Sequence, residues 1–427
     1  MGRESFRFLH ASDFHLERPL LDLPDVPDHL RPALVSAPWK AAEAVFEAAI
    51  VENVDFVILA GDLLNPIACG AAGPAFLLEQ FDLLAQRKIP IYWAGGIADD
   101  PERWPAAVSL PSNVHLFSKR IEAVIHRRNG TPIATLVGRS STGTQTIRAS
   151  EYQAEADDNY RIAVGFGEAD TESLSNERID YWALGGNHQR LALRDEGQQM
   201  RYCGSPQARS MAEEGAHGCF VVDVDASRKE QVHSIDVDLV RYSTQTIDAE
   251  DMALGRDVRQ LMTKRINRIQ SEASGRHTLV RWRIQLDLET ATVVGPAALE
   301  ELIVWLRREF GYGQPSTWST DIDVIPPKSL PKKWQEEDTI LGDFLRTAIE
   351  QRKSGAKPLS LGSFVETETP GGGIWSGALL PVELGVNQHV LDLSTLLGVD
   401  LLRGHSVDLL SCTRRFGGLA NSDKQST

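Results

Sequence analysis

The sequence predicts an α/β protein: a four-layer α/β/β/α sandwich followed by a C-terminal α+β capping region. Three observations carry this. Strand-like and helix-like segments alternate up to about residue 95, closely spaced strands follow to about residue 225, and beyond about 240 long amphipathic helices dominate. A chain of 427 residues exceeds one ordinary core and suits two domains, expected at 1–240 and 241–427.

The elements follow in order. "SFRFLHAS" (5–12) alternates as a strand, and "APWKAAEAVFEAAIVEN" (37–53) is Ala-rich with helical apolar spacing. "VDFVILAG" (54–61) is a continuous apolar run, the pattern of a strand buried on both faces. "GPAFLLEQFDLLAQRK" (73–88) predicts a second helix and "IPIYWAG" (89–95) a third strand. Then "VHLF", "IEAVIH", "TPIATLVG", "RIAVGFG", "DYWALGG", "RYCGSP" and "GCFVVDVD" come at short spacing, with room for a short helix only around "SNER". This implies two central sheets packed together with helices outside. In the second half "HTLVRWRIQLDL" (277–288) reads as a strand, and "GPAALEELIVWLRREFG" (295–311) as a helix with Leu299, Leu302, Ile303 and Leu306 on one face. "PPKSLPKKW" reads as a linker. "QEEDTILGDFLRTAIEQRK" (335–353) reads as a helix with the stripe Ile340, Leu341, Phe344, Leu345 and Ile349, and "ETPGGGIWSG" (368–377) as a loop.

Composition excludes several classes. No run approaches the roughly 18–20 apolar residues of a membrane span, and the N-terminus has no signal-peptide apolar region. The four cysteines, Cys69, Cys203, Cys219 and Cys412, include no CxxC pair, which argues against a zinc ribbon or disulfide framework and fits a cytoplasmic location. A net charge of −15 excludes nucleic-acid binding through bulk charge; contact with DNA would need a local basic patch, for which "HRR" (126–128), "KRINR" (264–268) and "KSLPKKW" (328–334) are the candidates beside their reading as solvated faces.

The chemistry-bearing residues stand at strand ends. Asp13 and His15 close the first strand, two residues apart and so on the same side of an extended chain. Gly61-Asp62 closes the second, where glycine permits a sharp turn at the edge at which α/β sheets bind ligands. His188 follows "YWALGG". Each taken singly has an ordinary reading as turn chemistry or a hydrogen-bonded loop histidine. Together, two carboxylates and two imidazoles suit Mn, Fe or Zn.

"ASDFHL", "DFVILAGDLLNP", "YWALGGNH" and "YCGSPQARSMAEEGAHGCFVVDVD" resemble the calcineurin-like metallophosphoesterases, within them the bacterial DNA-repair exonucleases of the SbcD and YhaO type, over about residues 5–240. The resemblance implies a fold that holds two metals and hydrolyses phosphodiesters, with a coiled-coil ATPase subunit as partner. It assigns Asp13, His15, Asp62 and His188 to the first metal, Asp62 being shared between both. Where the family pattern has Gly-Asn-His-Asp this chain has "AGGIADD", so Gly96 stands for the Asn and Ile97 for the His that assists the leaving group. A further ligand His is replaced by Phe166, or Gly167 if the register slips, and the first His of Gly-His-x-His by Gly186. Asp99, Asp100, Glu168, Asp170 and Asn187 lie near these positions as candidate substitutes, beside the reading of ordinary loop residues.

The expectation is therefore one divalent metal (Mn, Fe or Zn) on Asp13, His15, Asp62 and His188, with no second metal. The protein would be weak or inactive as a nuclease and act as a structural or regulatory subunit, with no catalytic residue assigned. An active Mn-dependent phosphodiesterase or exonuclease using one metal or an atypical second site is the alternative, and a small-molecule phosphatase a third reading. If the backbone keeps the family geometry, replacing Gly96, Ile97, Phe166 and Gly186 by the family residues should restore the second metal.

Overall fold

The computed structural model describes residues 4–20, 25–143, 146–153, 158–170, 174, 179–193, 199–249, 255–286, 294, 296–325, 332–353 and 388–402. The chain divides into two compact units, one of residues 1–243, 270–279 and 312–318, the other of 244–269, 280–311 and 319–427.

The first unit is built on β1 (Phe6–Ala11), α1 (Arg31–Val51), β2 (Phe56–Leu59), α2 (Pro66–Cys69), α3 (Ala72–Gln86), β3 (Ile91–Ala94) and β4 (Val114–Phe117). There follow β5 (Glu122–Arg128), β6 (Thr131–Gly138), β7 (Thr146–Ile147), β8 (Tyr160–Phe166), β9 (Glu168–Ala169) and β10 (Tyr181–Gly185). The unit's last strands are β11 (Leu191–Ala192), β12 (Gln199–Tyr202), β13 (Gly218–Val224) and β14 (Glu230–Asp236). Two six-stranded mixed sheets result, ordered β14-β13-β1-β2-β3-β4 and β11-β12-β10-β8-β6-β5. β1, β2, β3 and β4 run parallel, as do β6, β8, β10 and β12, while β13, β14, β5 and β11 pair antiparallel.

The layers follow from side-chain alternation. Phe8, Phe56, Ile58 and Phe220 of the first sheet meet Leu136, Ile162, Val164 and Tyr181 of the second in one buried cluster between the sheets. The opposite residues of the first sheet, Leu9, Val57, Leu59, Ile91 and Trp93, pack on the stripes of α1 and α3, among them Val45, Phe46, Leu77 and Phe81. The outer face of the second sheet, Val137, Ala163, Trp182 and Leu184, is covered by Ile147, Ala149 and Tyr152. Among the described residues this fourth layer is thin: a 3-10 turn at Ala149–Glu151 and the pair β7-β9. The short helix expected around "SNER" lies outside the described residues.

The second unit carries a three-stranded sheet, β15 (Val240–Asp248), β16 (His277–Gln285) and β17 (Thr317–Ile325), whose first residues count with the first unit. Backbone bonds from His277 N–H to the Leu239 carbonyl and from Ala249 N–H to the Gln285 carbonyl join start to start and end to end, so β15 and β16 are parallel. Two helices, α4 (Arg256–Glu272) and α5 (Pro296–Phe310), bury Val258, Met262 and Ile266, and Leu299, Leu302, Ile303 and Leu306, against Val280, Trp282 and Ile284. The sequence reading had β16 and α5 but not α4, whose polar, basic surface hides a four-residue stripe.

The 335–353 helix is in fact two, α6 (Lys332–Glu336) and α7 (Ile340–Lys353), so the end of "PPKSLPKKW" is helical, not linker. Ile340, placed on the buried stripe by periodicity, is 76% exposed as the first residue of α7, whereas Leu345 packs with Trp334 and with Val399 of α8 (Gln388–Leu402). The 368–377 loop lies outside the described residues. No helix among them is long and apolar enough to cross a membrane.

Candidate metal centre

Parallel β1 and β2 end at the same sheet edge, and the segments that follow stay in step: Asp13 N–H donates to the Gly61 carbonyl at 2.8 Å and His15 N–H to the Asp62 carbonyl at 3.0 Å. The chain after β10 of the facing sheet is drawn in by Gly186, whose N–H donates to Asp13 at 3.0 Å. Asp13, His15 and His188 thereby offer ligand atoms within 4.8 Å of one another. Asp62 joins them, its Oδ2 being 3.6 Å from His15 Nε2. All four predicted residues converge. Asp13, His15 and Asp62 have left-handed backbones, with φ of 58°, 44° and 52°. Such strain in three non-glycine residues at one locus persists only where the surroundings enforce it, as at functional sites.

Two carboxylates that sequence reasoning missed orient the imidazoles. His188 Nδ1 is 2.7 Å from Glu213 Oε1. An ionised carboxylate only accepts, so Nδ1 carries the proton and Nε2 keeps its lone pair. Glu17 Oε1 stands 3.4 Å from His15 Nδ1 in the same way, its Oε2 accepting from Asn65 N–H at 2.9 Å. Burial pushes the Glu17 and Glu213 carboxyls up, but the bonds from their histidines and from backbone N–H groups hold both below the ordinary range. Burial pushes the Asp13 carboxyl up, against bonds from Ser12 and Gly186. Glu17 is two residues past His15, and that spacing is the one signal that could have exposed it; Glu213, 25 residues beyond His188, had none.

The donor set fits a divalent ion. His15 Nε2 is buried with no hydrogen-bond partner, although both rings are oriented through their other nitrogen. An unpartnered buried nitrogen beside two carboxylates is costly alone and is what a metal would satisfy.

The residues that stand at the neighbouring second position are tightly packed. A Cβ on Gly96 would fall 2.3 Å from Asp62 Oδ1 and 2.5 Å from its backbone nitrogen. The Phe166 ring lies so close to Gly61 that a Cβ there would be 2.6 Å from it. Ile97 is 55% exposed on the cleft wall. Asp99, a candidate substitute ligand, is spent on structure: it accepts from the N–H groups of Asp62, Leu63, Gly96 and the Trp93 indole, and burial, then the Asp62 charge, raise its carboxyl to about 7. Asp100 is paired with Lys119. Glu168 and Asn187 do line the cleft of about 590 Å³ that opens on Asp13, Asp62 and His188; Asp170 does not line it.

Arg128 is bound to Glu4 and Asp55, and the 264–268 run lies on α4.

Residues 6–189, which include all four candidate ligands, match the model of the family described as calcineurin-like phosphoesterase. The chain is 28% identical over 232 residues to the uncharacterized metallophosphoesterase YhaO of Bacillus subtilis (strain 168), covering 51% of this chain and 57% of that protein. The chain thus matches little more than half the length of this relative. A crystal structure of a dimetal phosphatase from Danio rerio aligns with 51% of this chain and 92% of its own at a TM-score of 0.31 and 11% identity, too low to argue from. Both likenesses are to phosphoesterases, and the matched segment contains the Asp13, His15 and His188 cluster.

Proposed function

We propose that this chain is a metallophosphoesterase-fold protein of the DNA-repair exonuclease branch, weak or inactive as a nuclease, which holds one divalent ion on Asp13, His15, Asp62 and His188 and serves as a structural or regulatory subunit. The observation that carries this reading is the contact of Gly96 with Asp62: the backbone at the position of the second-metal Asn lies against the shared carboxylate, so that a side chain there would collide with it. When bound, a divalent ion polarises a phosphoryl oxygen as a Lewis acid. Glu17 and Glu213 aim the two imidazoles, and Asp13 is fixed by Ser12 and Gly186. Ile97 has no proton to give a leaving group, and loss of a general acid alone lowers rates by about 10²–10⁴. A coiled-coil ATPase is the partner proposed by resemblance, and DNA contact is proposed only through a local basic patch.

The intact, carboxylate-oriented ligand set favours one alternative, a slow Mn-dependent phosphodiesterase or exonuclease working with a single ion. Elemental analysis after Mn loading, with assays on linear DNA and a chromogenic phosphodiester, separates them. At most one equivalent and no turnover above the metal-free control is expected. One equivalent with Mn-dependent turnover establishes the alternative, and two equivalents refute both.

A further inference from the structure

The Arg209 guanidinium stands at the cluster, and the exposed Arg18 lies near it. Arg209 Nη2 lies 3.1 Å from both Nδ1 and Nε2 of His188. Equal distances to both nitrogens place it over the ring face, because in the ring plane it would collide with the carbon between them. The Nε2 lone pair therefore stays open, and among the described residues no carboxylate is hydrogen-bonded to the Arg209 guanidinium. Arg18 stands close enough to Arg209 to repel it; its side chain is 64% exposed, with Nε 3.7 Å from Glu17 Oε1. Burial costs the half-buried Arg209 hydration that the nearby charges of Glu213 and Asp13 make up in part, and a bound anion would add the hydrogen-bond acceptors that its guanidinium lacks. The cleft beside Phe166, by contrast, is lined by Asp13, Asp62, Glu168 and His188 and by no lysine or arginine. Charge points the same way. Asp13, Asp62, Glu168, Glu17 and Glu213 are five carboxylates, of which a divalent ion would offset two. Arg18 and Arg209 lessen the remaining negative charge that an incoming phosphate would meet.

We propose that Arg209, with Arg18 beside it, forms a seat for the oxygens of a phosphate or phosphoester at the Asp13–His15–His188 cluster, supplying from the protein positive charge that a two-metal site draws from its second ion. This rests on the metal reading above and deepens it, since it names an anionic ligand that a non-catalytic protein could also bind.

The test is calorimetric titration of inorganic phosphate into Mn-loaded full-length protein, with Mn affinity measured separately. Arg209→Met should weaken phosphate about tenfold or more while Mn affinity stays within about threefold, and Arg209→Lys should recover part of the loss. Arg18→Gln, at an exposed position that tolerates change, should cost a few-fold and decides the matter if Arg209→Met does not fold. Unchanged phosphate affinity in these variants with Mn retained, or a wild type that takes Mn but no phosphate, overturns the seat alone. A wild type that takes no Mn overturns the metal reading and the seat with it.

Discussion

Glu213 shows how much of the candidate metal centre lies one residue behind the candidate ligands. Its bond to Nδ1 decides which His188 nitrogen faces the cluster. Glu213→Gln replaces an acceptor by a group that can also donate, freeing the ring to turn. Mn affinity should fall by about 10- to 100-fold, read by titration calorimetry; an unchanged affinity would show that Glu213 does not orient the ligand. Gly96 carries the opposite lesson. The expectation that the family residues at 96, 97, 166 and 186 would rebuild a second site requires room at each position, and a Cβ at 96 would have to displace Asp62. Gly186, at φ 99°, adds strain to a histidine there. Gly96→Asn should therefore lower Mn affinity at least about tenfold and never raise the stoichiometry above one. Two equivalents after loading would show that the loop relaxes.

At the scale of elements, β1 serves both the core and the site. Its strand residue His10 points into the space between the sheets, where Nδ1 meets the Tyr181 hydroxyl at 3.1 Å and burial lowers its pKa from 6.5 to about 3. A folded-state pKa below the unfolded value means stability present above about pH 6.5 and lost as pH falls toward 3. At pH 5 the cost for this histidine is about 2 kcal/mol. Urea unfolding at pH 7.5 and pH 5 should show that loss, and His10→Gln should remove it; equal pH dependence in the variant would assign the effect elsewhere. The same strand delivers Asp13 and His15 to the edge shared with β2, so acid should loosen the frame that positions these ligands.

At the scale of the whole molecule, metal binding should appear as stability of the first unit. An ion that binds only the folded chain adds RT ln(1 + [L]/Kd), about 2.7 kcal/mol at a hundredfold excess over Kd. The thermal midpoint of Mn-loaded protein should exceed that of the EDTA-treated protein, and His188→Ala should erase most of the difference. Identical midpoints in wild type with and without Mn would contradict a metal held by folded-state ligands.

Local chemistry alone determined the alternation of elements, the apolar runs of β2, β3 and β10, and the placing of the four candidate residues, because each sits where an apolar run ends and a glycine or a turn begins. Periodicity also yielded the α5 stripe. It missed α4, where charged residues outnumber the buried ones, and it misplaced Ile340, because a helix break resets which positions face inward. Glu213 and Arg209 reach His188 only because the chain after β12 folds back over it. The room at Gly96 could not be read from the letter either, since an absent side chain does not reveal whether the space beside it is empty or filled. Close packing decided that: the backbone at 96 lies against Asp62.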